Sequence, residues 1–231
     1  MEALKRLKLL VGEEAVSKLQ NTTVVIVGLG GVGGYVVETL ARSGVGTLIL
    51  VDYDTVDITN INRQLVALNS TVGKNKAEAW KERIHDINPS CNVIVKNLFL
   101  TKENIEEIVV GKVDYIVDAC DTLKTKEELI RLSVSYNIPF IASMGMGNKL
   151  DPSKVSIMEI QKTSYDPIAK KLRKMIRDER IHKKIMVVSS TEQPIAQKEK
   201  TIASNAFVPA VAGLLCAHYV VKDLIGEICK Q

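Results

Sequence analysis

The sequence contains few of the residues that build metal and redox centres. It has four cysteines among 231 residues, and no two of them form a CxxC pair. The absence of such a pair argues against a tetrahedral zinc site. The cysteines stand apart, in mostly apolar surroundings, at Cys91, Cys120, Cys216 and Cys229. This pattern favours reduced, buried thiols and therefore a cytoplasmic protein.

Long hydrophobic runs are also missing. The most apolar stretch, residues 203–228, is interrupted by Lys222 and Asp223, and we expect it to form a packed core helix rather than a membrane span. Charged residues of both signs recur through the first 19 residues, so we expect no signal peptide. The sequence also lacks internal repeats and low-complexity tracts. We therefore expect a globular protein without a membrane partner.

Aromatic content and net charge are modest, at 4% and +4. A mildly basic chain of this kind has an ordinary surface, so its charge alone does not indicate nucleic-acid binding. Because 46% of the residues are hydrophobic, the chain can bury a full core. Composition therefore predicts a soluble domain and leaves its function to the motifs.

The most informative motif begins with an apolar, β-branched run, residues 22–27, which is typical of a buried parallel strand. The run ends in Gly28-x-Gly30-x-x-Gly33. An amphipathic helix and a second apolar strand follow, and the strand ends at Asp52. Such a unit binds nucleotide phosphates at the helix N-terminus, where free backbone N–H groups point at the anion. Asp52 is placed to accept a hydrogen bond from a ribose hydroxyl.

Strands and helices alternate along the first 145 residues, which predicts a Rossmann-like α/β fold. The predicted sheet is doubly wound and mainly parallel, with helices on both faces. Its strands are predicted at 22–28, 47–52, 93–95, 113–118 and 139–143. Its helices are predicted at 2–20, 31–43, 76–88 and 122–136, with Gly12 as a candidate break in the first one.

The rhythm changes after Gly145, where we expect a mixed-sheet C-terminal extension. Strands are predicted at 155–160 and 185–188, a helix begins at Asp166-Pro167, and residues 207–228 form the closing helix. We therefore divide a single domain, residues 1–231, into three parts. They are an N-terminal helical arm (1–20), a nucleotide-binding core (21–145), and a substrate-side crossover with the closing helix (146–231).

A glycine turn with a following acid most often indicates a dinucleotide dehydrogenase, but the neighbouring residues favour different chemistry. Asp54 adds a second carboxylate beside Asp52, which suits magnesium and phosphate better than hydride transfer. The long polar loop that follows supplies Asn60 and Arg63 at the edge where open α/β sheets bind ligands. A dehydrogenase would also need a proton donor. No obvious acidic partner accompanies any histidine, at His85, His182 or His218.

Two further residues on this rim, Lys76 and Asp118, could have either a ligand-binding or a purely structural role. Lys76 at the start of a helix opposes the helix dipole unless it meets an anion, and the alternative is an ordinary surface lysine. Asp118 and Asp121 end the fourth strand and could hold a divalent cation. The alternative for Asp118 is an N-cap of the next helix. With magnesium, Arg63 and Lys76 would offset the charge of a triphosphate while a carboxylate attacks its α-phosphorus, which is adenylation.

Five ordered motifs resemble the ubiquitin-activating-enzyme-like superfamily, whose bacterial ThiF, MoeB and HesA types adenylate a C-terminal carboxylate. The motifs lie at 28–33, 52–56, 60–64, 72–77 and 118–121. The resemblance extends over essentially the whole chain, and it implies a ThiF-type adenylating domain that uses ATP and Mg²⁺. It leaves open a structural monovalent cation.

The resemblance also implies roles for single residues. A nucleotide-binding role would fall to Gly28, Gly30, Gly31, Gly33, Asp52, Asp54, Asn60, Arg63 and Lys76. A catalytic role would fall to Arg63, Lys76, Asp121 and Arg6. Asp121 would bind the metal, and Arg6 would reach into the partner subunit's site, because members of the superfamily form homodimers. Asn75 departs from the proline usual in the family and is expected to weaken the helix start slightly.

Further stretches resemble a narrower family, the tRNA threonylcarbamoyladenosine dehydratases. They lie at Arg6, 10–13, 143–152, 162–167, 207–213 and 220–224. This family uses ATP to activate the carboxylate of the threonylcarbamoyl group on adenosine 37 of tRNA and closes the group into a ring. The resemblance implies tRNA as the partner, and it leaves open a cysteine desulfurase with its sulfur acceptor.

Two features favour this activity over activation of a small ubiquitin-like sulfur-carrier protein, which is the alternative. No cysteine lies between Ser143 and Ala203, so a thioester relay is hard to build, whereas an intramolecular ring closure needs none. Basic residues outnumber acids in a predicted helix over 162–184, which could track a tRNA backbone or be an ordinary solvated face. A third alternative is a nucleotide-binding redox or regulatory module.

Overall fold

The computed structural model describes residues 2–196 and 201–226, and seven strands in this part of the chain form one sheet. The strands are β1 (Thr23–Val27), β2 (Thr47–Val51), β3 (Asn92–Lys96), β4 (Tyr115–Asp118), β5 (Phe140–Ser143), β6 (Val155–Glu159) and β7 (Met186–Ser190). Their order across the sheet is β3-β2-β1-β4-β5-β7-β6. Every neighbouring pair is parallel except β6 and β7, which run antiparallel. The mainly parallel sheet with a mixed C-terminal extension is thus confirmed.

Seven α-helices in the described residues cover both faces of the sheet. They are α1 (Lys5–Val11), α2 (Glu13–Gln20), α3 (Gly33–Arg42), α4 (Lys76–Ile87), α5 (Leu123–Ser135), α6 (Pro167–Asp178) and α7 (Val208–Ile225). Val24 and Ile26 of β1 pack in the core with α2, α3, α4 and α7, whereas Val25 and Val27 pack with α5 and α6. Successive side chains of a strand point to opposite faces, which explains why β1 is apolar throughout.

The direction of winding changes at β1. The chain passes from β1 through α3 to β2 and through α4 to β3, whereas β4 lies on the opposite side of β1. The loops that leave β1 and β4 therefore separate at the carboxyl ends of the strands. Open α/β sheets bind ligands in the crevice that forms at this switch point. The glycine turn after β1 and the loop of Asp121 after β4 both lie there.

The N-terminal arm is broken where the sequence predicted a break. Gly12 separates α1 from α2 and has a φ of +87°, a conformation that glycine adopts without the steric cost that other residues meet. Ala15, Val16 and Leu19 of α2 are buried. α2 is therefore part of the core, whereas α1 has no buried residue.

The expectation that Asn75 weakens the start of α4 was wrong. The Asn75 side-chain oxygen accepts hydrogen bonds from the backbone N–H groups of Ala77, at 2.9 Å, and Glu78, at 3.3 Å. Asparagine is among the best N-cap residues because its side chain satisfies N–H groups that have no partner within the helix. Asn75 therefore fixes the start of α4 at Lys76.

The basic segment over 162–184 is not one helix. Lys162 ends a short 3-10 turn (Ile160–Lys162), and α6 covers only Pro167–Asp178. Lys183 donates from Nζ to the carbonyl oxygens of Ser133 and Ile138, at 2.9 and 2.7 Å, so it closes the end of α5. Arg173 likewise donates to Thr163. These two cations serve the fold.

The closing helix α7 meets the length and composition criteria for a membrane span, alone among the described helices. It packs against α3, and Ala212, Cys216 and Val220 are fully buried. Gly213 permits this close approach, because a Cβ there would lie 2.4 Å from the backbone oxygen of Val32. The helix thus occupies the packed core position that the sequence predicted, although its C-terminal boundary beyond Gly226 lies outside the described residues.

Asp118 does not take either role considered for it. It is fully buried and accepts two hydrogen bonds, each 3.1 Å long, from Nζ of Lys126, which also donates to the Ser143 carbonyl oxygen at 2.7 Å. The N-cap position of α5 is Thr122. Burial lowers the pKa of Lys126, but the attraction of Asp118 outweighs it and the net direction is upward. Asp118 is therefore the partner of a buried cation that joins the ends of β4 and β5.

This buried pair generates a stability prediction. Replacing Lys126 with methionine keeps most of the side-chain volume but leaves the Asp118 carboxylate buried without its cation. We expect Lys126→Met to lower the free energy of unfolding by about 3 kcal/mol or more, measured by denaturant titration. Lys74→Met is the matched control, because Lys74 pairs with Glu82 at the surface. A loss for Lys126→Met no larger than that of the control would contradict the assignment.

Candidate active site

A cleft of about 520 Å³ lies at the carboxyl ends of the central strands. One side is formed by the glycine turn after β1, the acids after β2, and the loop that holds Asn60 and Arg63. The other side is formed by the loops after β4 and β5, with Ile168 from the first turn of α6. The cleft therefore lies at the switch point of the sheet, the edge at which the sequence analysis expected a ligand.

Asp52 fastens the glycine turn to the end of β2. Its two carboxylate oxygens accept the backbone N–H groups of Leu29, at 2.7 Å, and Asp54, at 2.9 Å. Gly28 has a φ of +84°, and a Cβ there would lie 2.8 Å from the backbone of Ala119 and Cys120. Each carboxylate oxygen can accept a further hydrogen bond. Asp52 lines the cleft, and its binding of a ribose hydroxyl stays a prediction.

Lys76 is neither solvated nor an ordinary surface lysine. Its side chain is 7% exposed, and its Nζ donates to Oδ2 of Asp54 at 2.7 Å. Its backbone N–H also donates to the Asp54 carbonyl oxygen, at 3.0 Å. The ion pair supplies the anion that a lysine at a helix N-terminus needs. Lys76 and Asp54 therefore line the cleft as an ion pair that is already formed without a ligand.

Arg63 is held in the cleft by neutral groups. Its Nη1 donates to the Thr59 carbonyl oxygen and to Oδ1 of Asn62, both at 2.9 Å. No carboxylate in the described part of the chain pairs with it. Asn60 shapes the same loop, because its Oδ1 accepts the backbone N–H of Asp57 at 3.1 Å. Arg63 therefore retains a charge that is available to an anionic ligand.

Asp121 is exposed and lines the cleft. Its described partner is its neighbour Thr122, at 3.4 Å. Among the described residues no three acidic, histidine or cysteine side chains cluster as a metal site. A single carboxylate nevertheless fits Mg²⁺, which is usually held by one or two carboxylates together with substrate phosphates. The pKa of the neighbouring Tyr53 is raised by the Asp54 carboxylate first, then by burial, Asp121 and Asp52.

Arg6 is not brought into the cleft. It lies on α1, is exposed, and does not line the cleft. Gly31 does line it, pressed between Pro209 and Arg63, where a Cβ would lie 3.3 and 3.5 Å from their side chains. The structure thus places all the predicted site residues along the cleft except Arg6 and Gly33, and Gly33 is buried at the first position of α3.

The cysteines in the described residues are poor nucleophiles. Burial, with the Asp118 carboxylate, raises the pKa of Cys120, whose Sγ lies 3.1 Å from Oδ1 of Asp118. Burial raises the pKa of Cys91 to about 11 and that of Cys216 to about 12. These thiols stay protonated at neutral pH, and the thiolate is the nucleophilic form. Cys229 lies outside the described residues.

The sequence analysis assigned no role to some residues of the cleft, among them Gln64 of the 60–64 motif. Gln64 is buried against Gly30, 3.5 Å from the position of a Cβ, and its Oε1 has no hydrogen-bond partner in the described structure. The position of Gln64 directly after Arg63 was the sequence feature that could have identified it as a cleft residue. Phe99 and Tyr53 form an edge-to-face aromatic pair at 5.0 Å beside the cleft, and no sequence pattern linked them.

This arrangement combines an anion-binding turn with two cations and an exposed carboxylate. Backbone N–H groups at the start of α3, together with Lys76 and Arg63, can hold a polyphosphate. Asp121 can hold a divalent cation against the same phosphates. Among the described residues that line the cleft there is no histidine, and the one cysteine, Cys120, is not a reactive thiolate. The geometry therefore suits transfer of a nucleotidyl group better than hydride transfer.

Known proteins resemble this chain in sequence and in architecture. A profile of the ThiF family matches residues 4–231. The tRNA threonylcarbamoyladenosine dehydratase of Bacillus subtilis (strain 168) is 44% identical over 245 residues, which cover 99% of this chain and 96% of the relative.

Crystal structures of E. coli tRNA N6-threonylcarbamoyladenosine dehydratase are similar along the whole chain. The complex with AMP has a TM-score of 0.93 at 32% identity, covering 100% of this chain and 96% of that one. The complex with ATP has a TM-score of 0.92, with the same identity and coverage. These similarities confirm the superfamily that the motifs predicted, and the chain belongs to the ThiF family.

Proposed function

We propose that this protein is an ATP-dependent tRNA threonylcarbamoyladenosine dehydratase. The observation that carries the proposal is the cleft itself, in which the glycine turn, Arg63, Lys76 and Asp121 converge. Similarity to dehydratases over nearly the full length of the chain supports the same substrate. In this proposal residues 1–231 act as a single adenylating domain.

The first step in this proposal is adenylation. The threonylcarbamoyl carboxylate attacks the α-phosphorus of ATP, the bond to the bridging oxygen breaks, and pyrophosphate leaves. Gly28, Gly30, Gly31 and Gly33 form the phosphate turn, Asp52 holds the ribose, and Asn60 supports the loop. Arg63 and Lys76 offset charge on the phosphates, and Asp54 orients Lys76. Mg²⁺, held by Asp121, would neutralise further charge on the triphosphate.

The second step is closure of a ring. A nucleophile within the threonylcarbamoyl group attacks the activated carboxyl carbon, AMP leaves with one carboxylate oxygen, and the nucleophile loses its proton. The overall change in the nucleoside is the loss of one water. Because nucleophile and carbonyl belong to one group, their effective concentration is very high. The reaction needs no enzyme thiolate, in agreement with the protonated state of Cys120.

The tRNA backbone would bind along α6. Lys170, Lys171 and Lys174 are exposed, and no described acidic side chain pairs with them. Arg177 adds a further exposed cation, which pairs with Asp178 at 3.4 Å. The first turn of α6 lines the cleft through Ile168, so phosphates bound along the helix would lead towards the reacting group. Arg173 and Lys183 are excluded from this surface because they bond to the fold.

We further propose that the protein is a cytoplasmic homodimer in which Arg6 of one subunit enters the site of the other. Exposure of Arg6 on α1, outside its own cleft, supports this arrangement. A structural monovalent cation and a cysteine desulfurase with its sulfur acceptor stay as further hypotheses.

The direct test incubates the protein with ATP, magnesium and tRNA that carries threonylcarbamoyladenosine. We expect a nucleoside lighter by one water, seen by mass spectrometry after digestion, together with AMP and pyrophosphate. Asp121→Ala should lose turnover by about 100-fold or more, since it removes charge stabilisation at the phosphates. Its melting temperature should change little, because the side chain is exposed.

An unchanged nucleoside mass from folded, ATP-binding protein would refute the proposal. Pyrophosphate exchange that requires a small carrier protein ending in Gly-Gly would instead support the sulfur-carrier alternative. Tight NADH binding without any effect of ATP on thermal stability would support the redox or regulatory alternative.

The proposed role of Arg6 predicts complementation between inactive variants. Arg6→Ala and Arg63→Ala should each be inactive as pure dimers. After mixing by denaturation and refolding, one site of each mixed dimer regains both arginines if Arg6 acts in trans. Random assortment then restores about a quarter of the wild-type activity. Refolding each variant alone is the control. A mixture no more active than its components would show that Arg6 does not act across the interface.

A further inference from the structure

The backbone of Gly145 is held from both sides by buried charged side chains. Its N–H donates to Oδ2 of Asp166 at 2.8 Å, and its carbonyl oxygen accepts from Nζ of Lys149 at 2.8 Å. Asp166 is 7% exposed and Lys149 is 4% exposed. Gly145 itself lines the cleft, between Met144 and Met146. We refer to Asp166, Gly145 and Lys149 as the wall clamp.

The wall clamp uses ionised groups where neutral ones would be less costly to bury. Burial lowers the pKa of Lys149 in spite of the attraction of Asp166 and Glu192, so the ammonium is kept in an unfavourable setting. Buried charges contribute little to stability compared with apolar residues of similar size. The position of Asp166 and Lys149 beside the cleft therefore indicates that they hold the Gly145 backbone in place, and not only that they stabilise the fold.

Asp166 also begins the helix proposed to carry tRNA. Its other oxygen, Oδ1, accepts the backbone N–H of Ala169 at 2.8 Å and so caps α6. One buried carboxylate thus joins the start of α6 to the wall of the cleft. The exposed lysines 170, 171 and 174 follow within the first two turns. The distance from these cations to the wall is therefore set by Asp166.

We propose that Asp166 and Lys149 are positioning residues, which fix the cleft wall at Gly145 relative to α6 so that tRNA bound along α6 presents its carboxylate to the nucleotide. This inference rests on the proposed function. Neither residue touches the reacting atoms in this mechanism. Their loss misplaces the tRNA-borne group while the glycine turn, Arg63 and Lys76 stay intact. The consequence is a defect that is specific to tRNA.

Two single substitutions separate the wall clamp from the other contacts of its members. Asp166→Ser retains an N-cap side chain for α6 but is too short to reach Gly145. Lys149→Met retains the apolar stem and removes the donor to the Gly145 carbonyl oxygen. The matched control is Asp151→Ser. Asp151 also precedes a proline and accepts the N–H of Ser153 at 2.9 Å, but it caps a surface turn and does not line the cleft.

The experiment measures three quantities for each full-length variant: kcat/KM for the modified tRNA, the Kd for ATP, and the exchange rate of the Gly145 amide by NMR. Both clamp variants should lose about tenfold or more in kcat/KM, since small misplacement is costly in catalysis. ATP affinity should stay within about twofold, because the phosphate site is untouched. Gly145 should exchange faster in Asp166→Ser, and the double variant should lose less than the product of the two single losses.

A kcat/KM within about twofold of wild type in both variants would overturn the inference, as would an equal loss in Asp151→Ser. A parallel loss of ATP affinity would also overturn it, because that result indicates general disruption of the site. If the wild-type protein fails to dehydrate the tRNA, the proposed function itself is refuted. Wild-type turnover with unaffected clamp variants refutes only the positioning role.

Discussion

Helix α3 can pack directly against β1 because Gly33 has no side chain: a Cβ there would lie 1.7 Å from the carbonyl oxygen of Gly28. This close approach brings the N-terminus of α3 to the end of β1, at the place where the winding of the sheet changes direction. Asp52 then ties the turn to the neighbouring strand through the N–H of Leu29. The turn that leads into α3 thus lines the cleft through Gly30, Gly31 and Val32, and the N-terminus of a helix favours an anion.

Burial separates the charged side chains around this turn into those that stabilise the sheet and those that face the cleft. The Lys126 ammonium is fully buried and neutralised by Asp118, so it serves the sheet. Lys76 is shared between Asp54 and the cleft, and Arg63 is held by neutral acceptors. Asp121 stays exposed on the opposite rim. A polyphosphate in the cleft would therefore meet the cations Lys76 and Arg63, with the exposed Asp121 carboxylate on the opposite rim, and this combination suits an adenylating site with magnesium. Preorganised charges of this kind do not have to reorient as the reaction proceeds.

Local patterns were sufficient to predict most of the fold and the rim of the cleft. The alternation of apolar strands and amphipathic helices led to the doubly wound sheet, and the residues that follow β1 and β2 led to one side of the cleft. Errors occurred where a side chain has a partner distant in sequence or an unexpected local one. Asp118 was misassigned because its partner Lys126 lies in the next helix, about one turn from its start, and Asn75 was underrated as a cap. The wall clamp joins Gly145 to Asp166, and no periodicity could predict that contact.

The same limit applies to the basic segment. Its composition predicted one charged helix, but the structure ends α6 at Asp178 and uses Lys183 to close α5. A count of charges does not show which basic side chains bond to the protein itself. The hydrogen bonds of Arg173 and Lys183 distinguish these two residues from the lysines that remain exposed.

Transfer of oxygen from the carboxylate to AMP tests the central claim most directly. The tRNA is prepared with oxygen-18 in the carboxylate of its threonylcarbamoyl group, and the products of a single turnover with ATP are analysed by mass spectrometry. Attack at the α-phosphorus, the geometry assigned to this cleft, predicts one labelled oxygen in AMP and none in pyrophosphate or inorganic phosphate. Label in inorganic phosphate would show attack at the γ-phosphorus and would contradict the account.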